Sequence, residues 1–234
     1  AVYGINQVLI ETSLFVRRPS LWMEKASEYK STILCSPNFG LKHLLSFSKN
    51  LGSHSWDLSQ VRLLAMGAEP ISASLCEEFN FVLAQYNLSP QALTPGYGLA
   101  EVGLIATIAS YKEKFKTVIA ERESLTIGRE VKFTDSVSGV SFVSEGSFIP
   151  EMEVKITGDN MDELSECYSG HILIRGESVT SGYYNNKKAT DELKLKDGWL
   201  DTGDIGFFNN GELIITGRAK ELIIINGFNF YPHD

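Results

Sequence analysis

The sequence predicts an α/β region followed by a β region, and three observations carry that reading. Strand-like and helix-like segments alternate through roughly the first 110 residues. Beyond them come short apolar runs of strand length, separated by turn residues. Asn210-Gly211 then sits between two apolar runs, the strongest short-range signal for a hairpin.

The elements follow in order. A Ser ahead of an apolar run with Glu at helical spacing predicts a helix over 19–29 (PSLWMEKASEY). Residues 31–35 (STILC) are short and apolar, as in a buried strand. Helical spacing returns over 41–48, strand character over 61–66 (VRLLAM), helix over 72–86 and a short strand over 91–94 (QALT). Such repetition builds a parallel sheet. After Ser110 the strand candidates are 132–133, 140–143, 153–157, 171–175 and 212–216, with turn signals such as Thr157-Gly158-Asp159-Asn160 between them. Antiparallel β structure, a small barrel or sandwich, is expected there. The expected division is 1–110, 111–216 and a third, incomplete piece over 217–234.

Composition bounds the function. A chain of 234 residues with 43% hydrophobic and 21% charged residues has enough apolar material for a sizeable core. A net charge of −8, with Lys and Arg scattered, argues against binding nucleic acid through its phosphates and against a polybasic membrane anchor. No apolar run approaches the roughly 20 residues that span a bilayer. Cys35, Cys76 and Cys167 are far apart and odd in number, so neither a zinc site nor a disulfide framework is indicated and a reduced, cytoplasmic setting is expected. His43, His54, His171 and His233 are isolated, with no catalytic or metal spacing, and are expected to be structural or surface residues. Both ends of the sequence read as lying inside a longer protein.

Four motifs could carry chemistry. In PGYGLAE (95–101), Gly96 and Gly98 permit a tight turn, Tyr97 offers a face for stacking on a base, and Glu101 is a hard oxygen ligand suited to Mg²⁺. MGAEP (66–70) follows a predicted strand, at the end of a parallel sheet where ligands bind. In DGWLDTGDIG (197–206), Asp204 can accept from ribose hydroxyls. In GRAKELIIINGFNFYP (217–232), Arg218 is a fork donor for ribose or phosphate oxygens. Each motif alone is served equally well by a surface turn, a core Tyr or a solvated ion pair.

Taken together and in this order, the four resemble the adenylate-forming superfamily of acyl-CoA ligases, adenylation domains, luciferases and fatty acyl-AMP ligases. YGLAE is similar to that family's Tyr-Gly-x-Thr-Glu signature, with Ala100 where Thr is usual, so one phosphate contact is missing. SGYYN (181–185), DGWLDTGD and GRAKELI match later signatures, and the resemblance covers essentially the whole chain. It implies part of a large N-terminal domain, a parallel α/β subdomain plus a small distorted β-barrel, with the C-terminal domain absent. It implies that Gly67, Ala68, Glu69, Tyr97, Gly98, Leu99 and Ala100 form the adenine and phosphate side of an ATP/AMP site. Asp204 and Arg218 would hold ribose, Glu101 Mg²⁺, and Lys220 would be the hinge of a swinging C-terminal domain.

SPNFG (36–40) and MGAEP are most similar to the fatty acyl-AMP ligase branch, where Asn38 and Phe39 would line an acyl tunnel. Residues 111–137 resemble that branch's insertion, which is thought to hinder CoA ligation and leave the acyl group to a carrier protein's phosphopantetheine arm. The function implied is ATP-dependent activation of a fatty acid as acyl-AMP, in polyketide, nonribosomal peptide or lipid biosynthesis. An acyl-CoA synthetase, an amino-acid adenylation domain and a non-catalytic nucleotide-binding module are the alternatives. The phosphate loop and catalytic lysine of the family are not in this sequence, so the chain by itself is expected to be inactive.

Overall fold

The computed structural model describes residues 4–47, 54–225 and 228–230. The expected helix end at Ser48, His233 and the last residues of the 217–234 piece lie outside them.

The first region alternates helix and strand as expected. Helices α1 (Thr12–Arg17) and α2 (Ser20–Glu28) precede β1 (Ile33–Ser36), α3 (Asn38–Ser46), β2 (Leu63–Met66), α4 (Ala73–Leu83) and β3 (Leu93–Tyr97). Strands β1, β2 and β3 are parallel, with Leu34 opposite Leu64 and Leu64 opposite Leu93. Ser72 begins α4 by accepting the Leu75 N–H at 3.3 Å, which satisfies one of the donors a helix start leaves open. Cys76, Phe79 and Leu83 then recur at helical spacing and pack against the sheet. Helix α3 starts three residues earlier than its apolar spacing suggests. Pro37, at φ −74°, ends the strand, and tertiary bonds from Asn38 and Phe39 fix the first turn. The third strand begins at Leu93 and runs on to Tyr97, so it takes in part of the glycine motif.

Short strands β4 (Thr107–Ile108) and β7 (Ser147–Phe148) extend this sheet antiparallel, in the order β1-β2-β3-β4-β7. Between them in sequence lie β5 (Thr117–Ala120) and β6 (Val140–Val143), a separate two-stranded ribbon. The 132–133 strand candidate forms only a single bridge, from Phe133 to Ala120. Residues 111–137 are thus not an appended loop. Ala120, Leu125 and Val131 share a buried cluster with Phe142, Phe207 and Ile214.

The second region is an antiparallel sheet of β8 (Met152–Thr157), β9 (Gly170–Gly176), β10 (Leu200–Asn209) and β11 (Glu212–Arg218), with α5 (Lys187–Leu193) on the connection. The Asn210-Gly211 hairpin forms as predicted. Both residues have positive φ (52° and 74°), as a two-residue turn matching strand twist requires. The small barrel expected here is not closed. Among the described residues the four strands form an open sheet, and the β5–β6 ribbon does not complete it. Val102 and Ala106 pack into the core of this sheet with Met152, Ile172 and Leu213, so the two regions meet through shared apolar burial. A hairpin of β12 (Ile223–Ile225) and β13 (Phe228–Phe230) follows β11.

Candidate functional site

The carboxyl ends of β2 and β3 meet the β10–β11 hairpin around a cavity of about 370 Å³. Ala68, Glu69, Tyr97, Gly98, Asp204 and Arg218 all line it, so residues far apart in sequence converge on one place. Local backbone makes the approach possible. A Cβ on Gly67 would lie 2.7 Å from the Gly96 carbonyl, and one on Gly98 only 1.7 Å from the Leu104 carbonyl. Neither strand end tolerates a side chain there. Ala68 adopts φ 70°, which turns the chain sharply out of β2.

Asp204 reaches the cavity because β10 bulges. Its pairing with β9 slips between Asp201 and Ile205, and Gly203 takes φ 72°. The displaced Asp204 carboxylate is buried, and Tyr97 donates to its Oδ2 at 2.6 Å. Arg218 Nε lies 3.1 Å from Oδ1, while the Arg218 side chain stays 58% exposed. Burial raises the Asp204 pKa; the Tyr97 hydrogen bond and the Arg218 charge oppose that rise. Burial also pushes the Tyr97 phenol up, and the Asp204 charge adds to this. The Tyr97 phenol therefore stays neutral and remains a donor. The result is a rigid acceptor group flanked by an aromatic face and an exposed fork donor.

Other expected residues lie around this centre. Glu101 stands in a single turn of 3₁₀ helix over Ala100–Val102, outside the cavity lining. Its carboxylate accepts from the Tyr183 hydroxyl at 2.5 Å, and its carbonyl from the Thr180 N–H at 2.7 Å. One carboxylate with open coordination suits Mg²⁺, which usually takes one or two protein oxygens and completes its shell with phosphate and water. Among the described residues there is no cluster of three His, Cys, Asp or Glu to hold a metal alone. Leu99 packs into the β-sheet core and Ala100 is exposed. Lys220 is exposed on the turn Ala219–Glu221, just past Arg218.

Asn38 and Phe39 are engaged with the loop after β2. Asn38 donates to the Pro70 carbonyl and accepts from the Ser72 N–H at 3.3 Å; the Phe39 N–H donates to Glu69 Oε1 at 2.9 Å. The Phe39 ring is 53% exposed and stacks on His43 with centroids 5.4 Å apart, beside Phe15. His43 is therefore a member of an aromatic group.

Two residues escaped sequence reasoning. Tyr183 lies inside the SGYYN motif but had no assigned role. Glu145 also lines the cavity, is 6% exposed, and carries Oε2 with no hydrogen-bond partner among the described residues. Its only sequence signal is an acid directly after the apolar run 140–143.

The AMP-binding enzyme profile matches residues 1–184. A long-chain-fatty-acid–AMP ligase of Mycolicibacterium smegmatis is 34% identical over 94% of the chain and 39% of its own length. A Caulobacter vibrioides protein with a provisional acyl-CoA synthetase name is 34% identical over 97% of the chain and 40% of its own. The solved fatty acyl-adenylate ligase of L. pneumophila, in complex with acyl adenylate and pyrophosphate, superposes with a TM-score of 0.86 at 31% identity, over 92% of this chain and 39% of that one. The chain thus spans about two fifths of the length of these relatives. It adopts part of the adenylate-forming fold, and its relatives include fatty acyl-AMP ligases and adenylation domains. With the profile covering more than half of it, the chain belongs to the AMP-binding enzyme family.

Proposed function

We propose that this chain supplies the nucleotide side of an enzyme that activates a fatty acid as its acyl-AMP and passes the acyl group to a carrier-protein thiol. The observation that carries the reading is the convergence of Tyr97, Asp204 and Arg218 on one cavity at the strand ends. In it the Tyr97 ring stacks on the base, Asp204 accepts from the ribose hydroxyls and Arg218 orients the sugar and phosphate. The fatty carboxylate attacks the α-phosphorus of ATP, the new acyl–phosphate bond forms, and pyrophosphate leaves. Glu101 would hold the Mg²⁺ that neutralises phosphate charge. The thiol then attacks the acyl carbon and AMP departs. Positioning and electrostatics carry most of this catalysis.

Asn38 and Phe39 are assigned to the mouth of the acyl path, Lys220 to the hinge, and residues 1–110, 111–216 and 217–234 to the three organisational units. The long-chain-fatty-acid–AMP ligase relatives support a fatty acid as the acid that is activated. Among the described residues no helix is long and apolar enough to cross a membrane; the reaction is assigned to the cytoplasm. Adenylation is assigned to the full-length protein, since this chain spans about 40% of the length of its relatives.

Incubating the full-length protein with ATP, Mg²⁺ and a fatty-acid series, then adding CoA or a holo carrier, tests the reading by product mass. Acyl transfer to the carrier alone supports it. Acyl-CoA moves the protein to the ligase branch, and no adenylate from any carboxylate sinks both.

A further inference from the structure

Glu145 is held firmly by its backbone. Its N–H donates to the Leu213 carbonyl at 2.8 Å, and its carbonyl accepts from the Thr107 hydroxyl at 2.9 Å. The side chain is 6% exposed and lies between the main cavity and an adjoining one of about 290 Å³, bordering both. Oε2 has no hydrogen-bond partner among the described residues. Glu69, Asp204, Arg218 and Glu221 line the same cavity, Arg122 the adjoining one, and Cys76 approaches from α4, its thiol raised by burial first and by the Glu145 charge second. A buried carboxyl oxygen without a partner is costly, and such atoms in native proteins call for an explanation. A ligand that completes the hydrogen bonding is the explanation this position favours.

The geometry points to Glu145 as the residue that selects the base, pairing its carboxyl with the amino edge of adenine while Asp204 holds the ribose. This rests on the proposed nucleotide site. Burial pushes the Glu145 carboxyl up to about 8, so near neutral pH it carries a proton. A protonated carboxyl shows an O–H donor beside a carbonyl acceptor. Adenine shows the complementary pair, a ring-nitrogen acceptor beside the exocyclic amine. On the N7 side hypoxanthine puts a carbonyl oxygen where adenine has the amine, so that edge offers two acceptors and one of the two Glu145 hydrogen bonds is lost whichever oxygen carries the proton.

Binding of AMP, IMP and purine riboside monophosphate to the full-length protein, measured by calorimetry, tests this. Wild type is expected to prefer AMP over both by about tenfold, the value of one good hydrogen bond in a buried site. Glu145→Gln, whose amide keeps a donor beside an acceptor, retains the preference. Glu145→Leu brings the AMP-to-IMP ratio near one. An unchanged ratio in Glu145→Leu, or its loss in Glu145→Gln, overturns the inference while leaving the nucleotide site intact. Equal wild-type affinity for AMP and purine riboside monophosphate overturns it without any substitution. No binding of any of the three overturns the site itself.

Discussion

Asp204 and Glu145 are two buried carboxyls on the walls of one cavity, and they are treated in opposite ways. Asp204 has Tyr97, Arg218 and its own backbone N–H, anchored to the Thr202 hydroxyl at 3.0 Å, fixing its position. Glu145 has a fixed backbone and a carboxyl left open on Oε2. Both pKa values rise with burial, but at Asp204 two partners oppose the rise, whereas at Glu145 burial is the cause that acts. Partners fix the Asp204 carboxylate in place as an acceptor and hold its rise in check, whereas at Glu145 nothing opposes burial.

Removing the partnered acid breaks the comparison most. Asp204→Ala is expected to lower kcat/KM for ATP in the full-length enzyme by about a hundredfold, roughly 3 kcal/mol of lost charged hydrogen bonding. A change under threefold would remove Asp204 from the site. The unpartnered acid should show itself in stability. Its folded pKa is raised, so its contribution is fully present below pH 4.5 and is lost as pH climbs towards 8. Denaturant melts of wild type should therefore lose on the order of 3 kcal/mol between pH 5 and pH 8 relative to Glu145→Gln. Parallel pH profiles for the two proteins would mean that the carboxyl is ionised and hydrated.

Tyr97→Phe keeps the stacking face and removes one donor from Asp204. It should raise the KM for ATP about three- to tenfold with kcat nearly unchanged, and an equal drop in kcat would show that the hydroxyl acts in the transition state. The smallest effect is expected from Arg218→Lys, since the Arg218 side chain is more than half exposed. A loss of about twofold to fivefold in kcat/KM would reflect the missing fork geometry.

The fold was legible wherever a local signal and the tertiary outcome agree. The strand expected over 140–143 is Val140–Val143, and the Asn210-Gly211 turn forms because its positive φ values are cheap for those residue types. The segment 197–206 is missing from the strand candidates, because its Asp and Gly density suits a turn as well. Most of it is the start of a ten-residue strand, paired on both sides, whose bulge carries the site. Pairing with two neighbours overrode weak strand propensity. Tyr97, Asp204 and Arg218 were legible as motif residues. Glu145 was not, because what sets it apart is the loss of water and partners, which no local pattern encodes.

The β5–β6 ribbon shares its buried cluster with Phe207 and Ile214, which belong to the same hairpin as Asp204 and Arg218. This has an evolutionary consequence. A segment anchored in that way cannot be gained or discarded in one genetic step, because every intermediate would strip two large apolar residues of cover directly behind the site. Descendants that dispense with the ribbon must first recolonise that surface with other side chains. Natural variation in the segment should therefore run through its exposed turns, such as Ser136–Gly139, and spare Ala120, Leu125 and Val131.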